Sequence, residues 1–173
     1  LAVPHVLMQI VAFTAFFLDG YAYVAESLVG RAIGAKDRLF FNTAVVRTTV
    51  LAGVTALVLA AVVWLCGDFF IYWLTDIEEV QQQAVLMIWA VSAYVLLSFP
   101  AFQLDGIFIG ASATKAMRDA SILSLLVYLV CVYGAPADLG LGALWGAMVI
   151  FVVARALALL VYTPSTLRRA FAT

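Results

Sequence analysis

The sequence predicts an all-α, polytopic transmembrane helical bundle, and three observations carry that prediction. Of 173 residues, 66% are apolar and only 11% are charged, and the mean hydropathy is +1.13. A soluble domain is about 45–50% apolar and about 25% charged, and a chain of this size has too little interior to hide the excess. The apolar residues also form five long continuous runs, the pattern of spanning helices rather than of the alternating strands of a membrane barrel. Finally, the breaks between the runs carry Gly, Pro and charged residues, which end helices. A soluble domain, a disordered chain and a disulfide scaffold are excluded on these grounds. The net charge of −1 leaves no basic surface for nucleic acid. Cys66 and Cys131 fit neither a metal site nor a disulfide framework.

A spanning helix needs about 20 mainly apolar residues. The first span is read at about 5–33, closing at Ala35-Lys36-Asp37-Arg38. The second, 42–66, ends at Gly67-Asp68, and an aromatic stretch follows as far as Asp76-Ile77-Glu78-Glu79. The third, 80–110, stops at Gly110-Ala111-Ser112-Ala113-Thr114-Lys115. The fourth covers 115–134 and ends in Gly134-Ala135-Pro136-Ala137-Asp138-Leu139-Gly140. The fifth covers 142–163. An odd number of spans, and a chain that opens on Leu1 without a signal peptide, lead to the expectation of a fragment with helices missing upstream.

Charge placement gives an orientation. Lys36, Arg38, Lys115, Arg118, Arg168 and Arg169 fall in or beside alternate breaks and at the C-terminus. The opposite breaks hold Asp68, Asp76, Glu78, Glu79 and Asp138, with no Lys or Arg. By the positive-inside rule the C-terminus is cytoplasmic. Arg31 and Arg47 then lie at inner helix ends, and Arg155 in the inner half of the fifth span. Trp64, Tyr72, Trp73, Tyr133 and Trp145 map to the outer interface, where aromatic rings anchor. His5, at the outer edge of the first span, reads as a polar cap.

Polar groups inside the spans are the functional candidates. Asp19 lies near the middle of the first span, and Glu26, seven residues on, falls on the same face. Asp105 lies in the third span, five residues after Pro100. An ionised carboxylate at the bilayer centre costs about 2.5–3.5 kcal/mol, so all three acids must face a packed interior or a wet cavity. Their functional reading is a proton or cation relay, or a site for a cationic substrate. The structural one is a hydrogen-bonded acid or, for Glu26, an ion pair with Arg31. Function is the stronger reading for Asp105. Pro100 removes a backbone hydrogen bond and predicts a kink one turn from Asp105. Gln9 and Gln103 are candidates either for contacting substrate in a cavity or for bonding helix to helix. The pairs Gly30/Gly34, Gly106/Gly110 and Gly142/Gly146 permit close helix approach. Leu18-Asp19-Gly20 is echoed by Leu104-Asp105-Gly106, a faint internal repeat of a kind frequent in transporters. No nucleophile–base set, phosphate loop or histidine-rich metal constellation is present, so no enzyme activity, metal or cofactor is expected.

The stretch from Phe17-Leu18-Asp19-Gly20-Tyr21 through Gly30-Arg31-Ala32-Ile33-Gly34-Ala35-Lys36-Asp37 resembles the eighth helix of the multidrug and toxic compound extrusion (MATE) transporters, most closely their DinF-like branch. Leu1-Ala2-Val3-Pro4-His5-Val6-Leu7-Met8-Gln9 resembles the approach to that helix. Gln103-Leu104-Asp105-Gly106-Ile107-Phe108-Ile109-Gly110-Ala111-Ser112 resembles the tenth helix, and Ala116-Met117-Arg118-Asp119 the start of the eleventh. The resemblance implies helices eight to twelve of a twelve-helix, two-bundle antiporter of the bacterial cytoplasmic membrane. Its partners are then the lipid bilayer, a small-molecule substrate and the N-terminal bundle of the same protein. It implies exchange of cytotoxic, cationic or amphipathic compounds for H+ or Na+ by alternating access. The coupling role carries over to Asp105 alone; Asp19 and Glu26 are added from the residue reading. Two other classes stay open, a non-transporting membrane scaffold or remnant, and a lipid-linked flippase of the same wider superfamily. The clustering of Lys and Arg toward the inner side weighs against the flippase.

Overall fold

The computed structural model describes residues 2–136 and 140–171. The expectations placed on Leu1 and on Ala137, Asp138 and Leu139 lie outside the described residues. Among the described residues six helices occur in order: α1 Ala2–Gly34, α2 Arg38–Leu74, α3 Glu78–Val85, α4 Ile88–Gly110, α5 Thr114–Gly134 and α6 Gly140–Ala170. No strand is found among the described residues. All but α3 are long and apolar enough to cross a membrane.

The turn from α1 to α2 is built locally. The Lys36 N–H bonds the Ile33 carbonyl and the Asp37 N–H bonds the Ala32 carbonyl, while Lys36 takes φ 53°. Asp37 then caps α2, its carboxylate accepting from the Phe40 N–H at 2.9 Å. That cap occupies one donor the helix start leaves open.

Three boundaries differ from the sequence reading. The second span does not stop at Gly67-Asp68; α2 runs on to Leu74. Gly67 serves packing there, because a Cβ on it would stand 2.5 Å from the Ile88 side chain. At 37 residues, α2 is about 55 Å long, well beyond the roughly 30 Å hydrocarbon core. The third span is two helices. Its first residues, with three successive glutamines, join Glu78 and Glu79 of the preceding break in a separate α3, too polar for hydrocarbon, which buries only Val80 and Ala84. The chain turns at Leu86-Met87, and α4 begins at Ile88. Finally, α6 continues through Pro164 to Ala170.

α4 is the hub. It packs against α1, α2, α5 and α6, while α5 leans chiefly on α6. One apolar cluster joins Val6, Leu7, Ile71, Ile88, Val91 and Trp145. A second joins Ala25, Val29, Leu104, Ile107, Phe108 and Leu159. Trp145 corrects the anchor reading. It is 1% exposed and meets Tyr94 edge-on with ring centres 6.5 Å apart. Trp64, Tyr72, Trp73 and Tyr133 are exposed, as interfacial anchors are. Of the three Gly pairs, Gly106/Gly110 makes the closest approach. A Cβ on Gly106 would collide with the Ala22 backbone, and one on Gly110 would stand 2.5 Å from the Glu26 carbonyl oxygen. Four residues down α4 match four residues down α1, so the two helices run parallel. Among the described residues, nothing comes within 4 Å of a Cβ placed on Gly142 or Gly146.

Candidate functional site

Asp19, Ala22, Tyr23 and Glu26 recur at three- and four-residue intervals and so share one face of α1. That face meets Phe102, Asp105, Gly106 and Ile109 of α4, and Met117 of α5 closes the other side. The cavity between them measures about 230 Å³. The fold therefore brings all three candidate acids, Asp19, Glu26 and Asp105, to one cavity. The Gly106–Ala22 contact lies in its wall.

The proposed Glu26–Arg31 pair does not form. Five residues place the two side chains roughly 140° apart around the helix, and the Arg31 guanidinium lies over the Phe40 ring, 5.7 Å from its centre. Glu26 and Asp19 form no ion pair among the described residues.

Asp105 does have a partner. Arg155 of α6 grips its carboxylate with two donors. Nε reaches Oδ2 at 3.1 Å and Nη2 reaches Oδ1 at 2.9 Å. The remaining nitrogen, Nη1, donates to Ser121 Oγ of α5 at 2.7 Å, and that hydroxyl donates to the Met117 carbonyl. A forked, two-bond pair is the strong form of a carboxylate–guanidinium contact. The Arg155 and Asp105 side chains are 19% and 25% exposed. Behind the pair, Tyr94, Phe102, Phe151, Val152 and Arg155 line a smaller cavity of about 170 Å³, which Asp105 and Phe102 also border. Asp105 thus stands between two cavities.

Sequence reasoning noticed Arg155 and gave it no role. The signal was there: a guanidinium inside an apolar span requires an anionic partner, and Asp105 is an acid of a neighbouring span. What the sequence hides is the crossing of α4 and α6 that sets them opposite.

The two glutamines go elsewhere. Gln103 is buried and turned toward α2, its amide nitrogen donating to Thr48 Oγ1 at 2.7 Å. It does not line the acidic cavity and acts as a helix-to-helix bond. Its Oε1 is buried without a partner among the described residues. Gln9 is exposed, lies 3.3 Å from His5 Nε2, and borders a different cavity of about 390 Å³, between α1 and α2, with Phe13, Phe70 and Trp73. Ten residues, about 15 Å along the axis, separate it from Asp19. Pro100 lies inside α4, which continues as helix on both sides of it. The Gln103–Thr48 bond yields a prediction. Thr48→Val is expected to lower thermal stability by about 1–3 kcal/mol, because it leaves the amide unsatisfied at both ends. Gln103→Met/Thr48→Val is expected to restore most of it, as measured by unfolding in detergent.

Among the described residues, five helices long and apolar enough to cross a membrane, three of which line an acidic cavity, and an Arg–Asp pair between two of them define a multi-pass membrane protein with a charged interior. Comparison with known proteins makes this specific. A family model described as MatE matches residues 1–133. The chain is 34% identical over 160 residues to DNA damage-inducible protein F of Escherichia coli (strain K12), covering 92% of this chain and 34% of that protein. It also matches the crystal structure of the eukaryotic MATE transporter AtDTX14 with a TM-score of 0.86 and 17% identity, covering 98% of this chain and 40% of that one. The chain belongs to the MatE family of membrane transporters. It spans about a third of the length of the curated relative it matches.

Proposed function

We propose that this chain forms helices of the C-terminal bundle of a secondary active antiporter. The antiporter extrudes cytotoxic, cationic or amphipathic compounds across the bacterial cytoplasmic membrane in exchange for H+ or Na+, with the C-terminus on the cytoplasmic side. The observation that carries the reading is the cavity onto which Asp19, Glu26 and Asp105 open together. Intramembrane carboxylates are expensive and face functional paths. A cation and a cationic substrate that compete for one set of carboxylates are linked, and linkage through a two-state bundle is what exchange requires. Asp105 carries the coupling ion, Asp19 and Glu26 supply negative charge to the same cavity from α1, and the N-terminal bundle completes the path.

The test is Asp105→Asn in the full-length protein, since asparagine keeps the shape and one acceptor for Arg155. Resistance to a lipophilic cation and dye efflux are expected to fall at least tenfold, with the protein still reaching the membrane. Unchanged efflux at equal expression would overturn the reading.

A further inference from the structure

We propose that Arg155 is a positioning residue of the coupling step, an internal counter-cation that the incoming H+ or Na+ displaces from Asp105. This rests on the antiporter reading above and adds to it the residue that sets cation affinity. Arg155 bonds both oxygens of the Asp105 carboxylate and neutralises its charge, so a cation binds the carboxylate weakly while the guanidinium stays and strongly once it withdraws. Arg155 has somewhere to go. The cavity of about 170 Å³ lined by Tyr94, Phe151 and Arg155 lies beside it, while the bond from Nη1 to Ser121 on α5 tethers it in the paired position. The coupling ion arrives from the other side, through the cavity that holds Asp19 and Glu26. Asp105 therefore separates the two competitors.

The charge balance fits an exchanger. The Asp105–Arg155 pair is neutral. Capture of one cation with release of the guanidinium adds one positive charge. The charged and titratable groups facing that event are Asp19, Tyr23 and Glu26 of α1, Tyr94 of α4 and Arg155 of α6, and α5 supplies Ser121 and Met117. When Arg155 returns to Asp105 it expels the ion. Competition weakens apparent binding by the fraction of time the carboxylate is free, so a guanidinium in place nine-tenths of the time costs the ion about tenfold in affinity.

The experiment uses the full-length protein in proteoliposomes, with export of ethidium followed against Na+ concentration at fixed pH and against pH without Na+. For the ion that couples, Arg155→Gln is expected to lower the half-saturating concentration about tenfold and to reduce the maximal rate, because release slows. Ser121→Ala loses only the tether and is expected to shift half-saturation in the same direction by about threefold, the size of one hydrogen bond. Lower yield or thermal stability with half-saturation unchanged in both variants means a purely structural pair and overturns the inference. Should Arg155→Gln not fold, Ser121→Ala decides alone, and no shift overturns it. Asp105→Asn is run alongside. If it abolishes coupling while the other two leave half-saturation unchanged, this inference fails and the antiporter reading stands. If Asp105→Asn couples like the wild type, both fail.

Discussion

The Arg155→Leu protein is expected to be less stable than the Asp105→Asn/Arg155→Leu double variant, although the double variant carries one substitution more. In the single variant the Asp105 carboxylate loses both of its hydrogen-bond donors, Nε and Nη2 of Arg155. It then stands as an unopposed charge among apolar helices, at a cost of about 2.5–3.5 kcal/mol on insertion scales. Breaking one side of a buried pair costs about 3–5 kcal/mol. The 19% and 25% exposure of these side chains moves the expectation below that range, to about 2–3 kcal/mol. In the double variant neither charge is present, and a leucine beside an asparagine is far cheaper to enclose. The measurement is thermal unfolding of the full-length protein in detergent, read as a double-mutant cycle. Additive single effects would mean that the pair contributes nothing beyond its members.

Gly106→Val carries the second large effect. The first Cβ already collides with the backbone of Ala22, and backbone cannot rotate away as a side chain can. Valine adds two further methyl groups to that point, so α1 and α4 must separate by an ångström or more. The apolar contacts around Ala25, Val29, Leu104 and Ile107 loosen with them. Overpacking of this kind costs about 1–3 kcal/mol and occasionally more. Gly146→Val, where nothing approaches, is the matched control and is expected to be neutral. Equal melting temperatures for the two variants would contradict the close crossing.

The same glycines show where a sequence stops being readable. Gly30/Gly34, Gly106/Gly110 and Gly142/Gly146 look alike in one dimension, yet among the described residues Gly106/Gly110 alone leaves no room for a Cβ against a neighbouring backbone. Which small-residue pair is used depends on the partner helix, and the pattern along one helix carries no record of its neighbour. Gly67 misled in the opposite sense, since a helix-ending residue in sequence is a contact residue against Ile88 in space. The five long apolar helices were legible because burial in lipid leaves a local signature in every residue. The gathering of Asp19 and Glu26 was legible too, since helical periodicity fixes it. Arg155 facing Asp105, Gln103 facing Thr48 and Trp145 facing Tyr94 were not. Each is a relation between helices that the chain order does not encode.

The backbone contact between Gly106 and Ala22 also decides how the acidic cavity can change its width. Where two main chains touch, no rotamer remains to be altered, so the wall formed by α1 and α4 behaves as a fixed jaw with Asp19 and Asp105 mounted on it. The opposite wall is α5, which buries only Ala120 and Ser124 and leans mostly on α6. It is the adjustable jaw. Of the three helices that line the cavity, α5 is the one whose packing leaves it freest to shift around an ion or a substrate. The Ser121–Arg155 bond is the screw that ties its setting to the charge on Asp105.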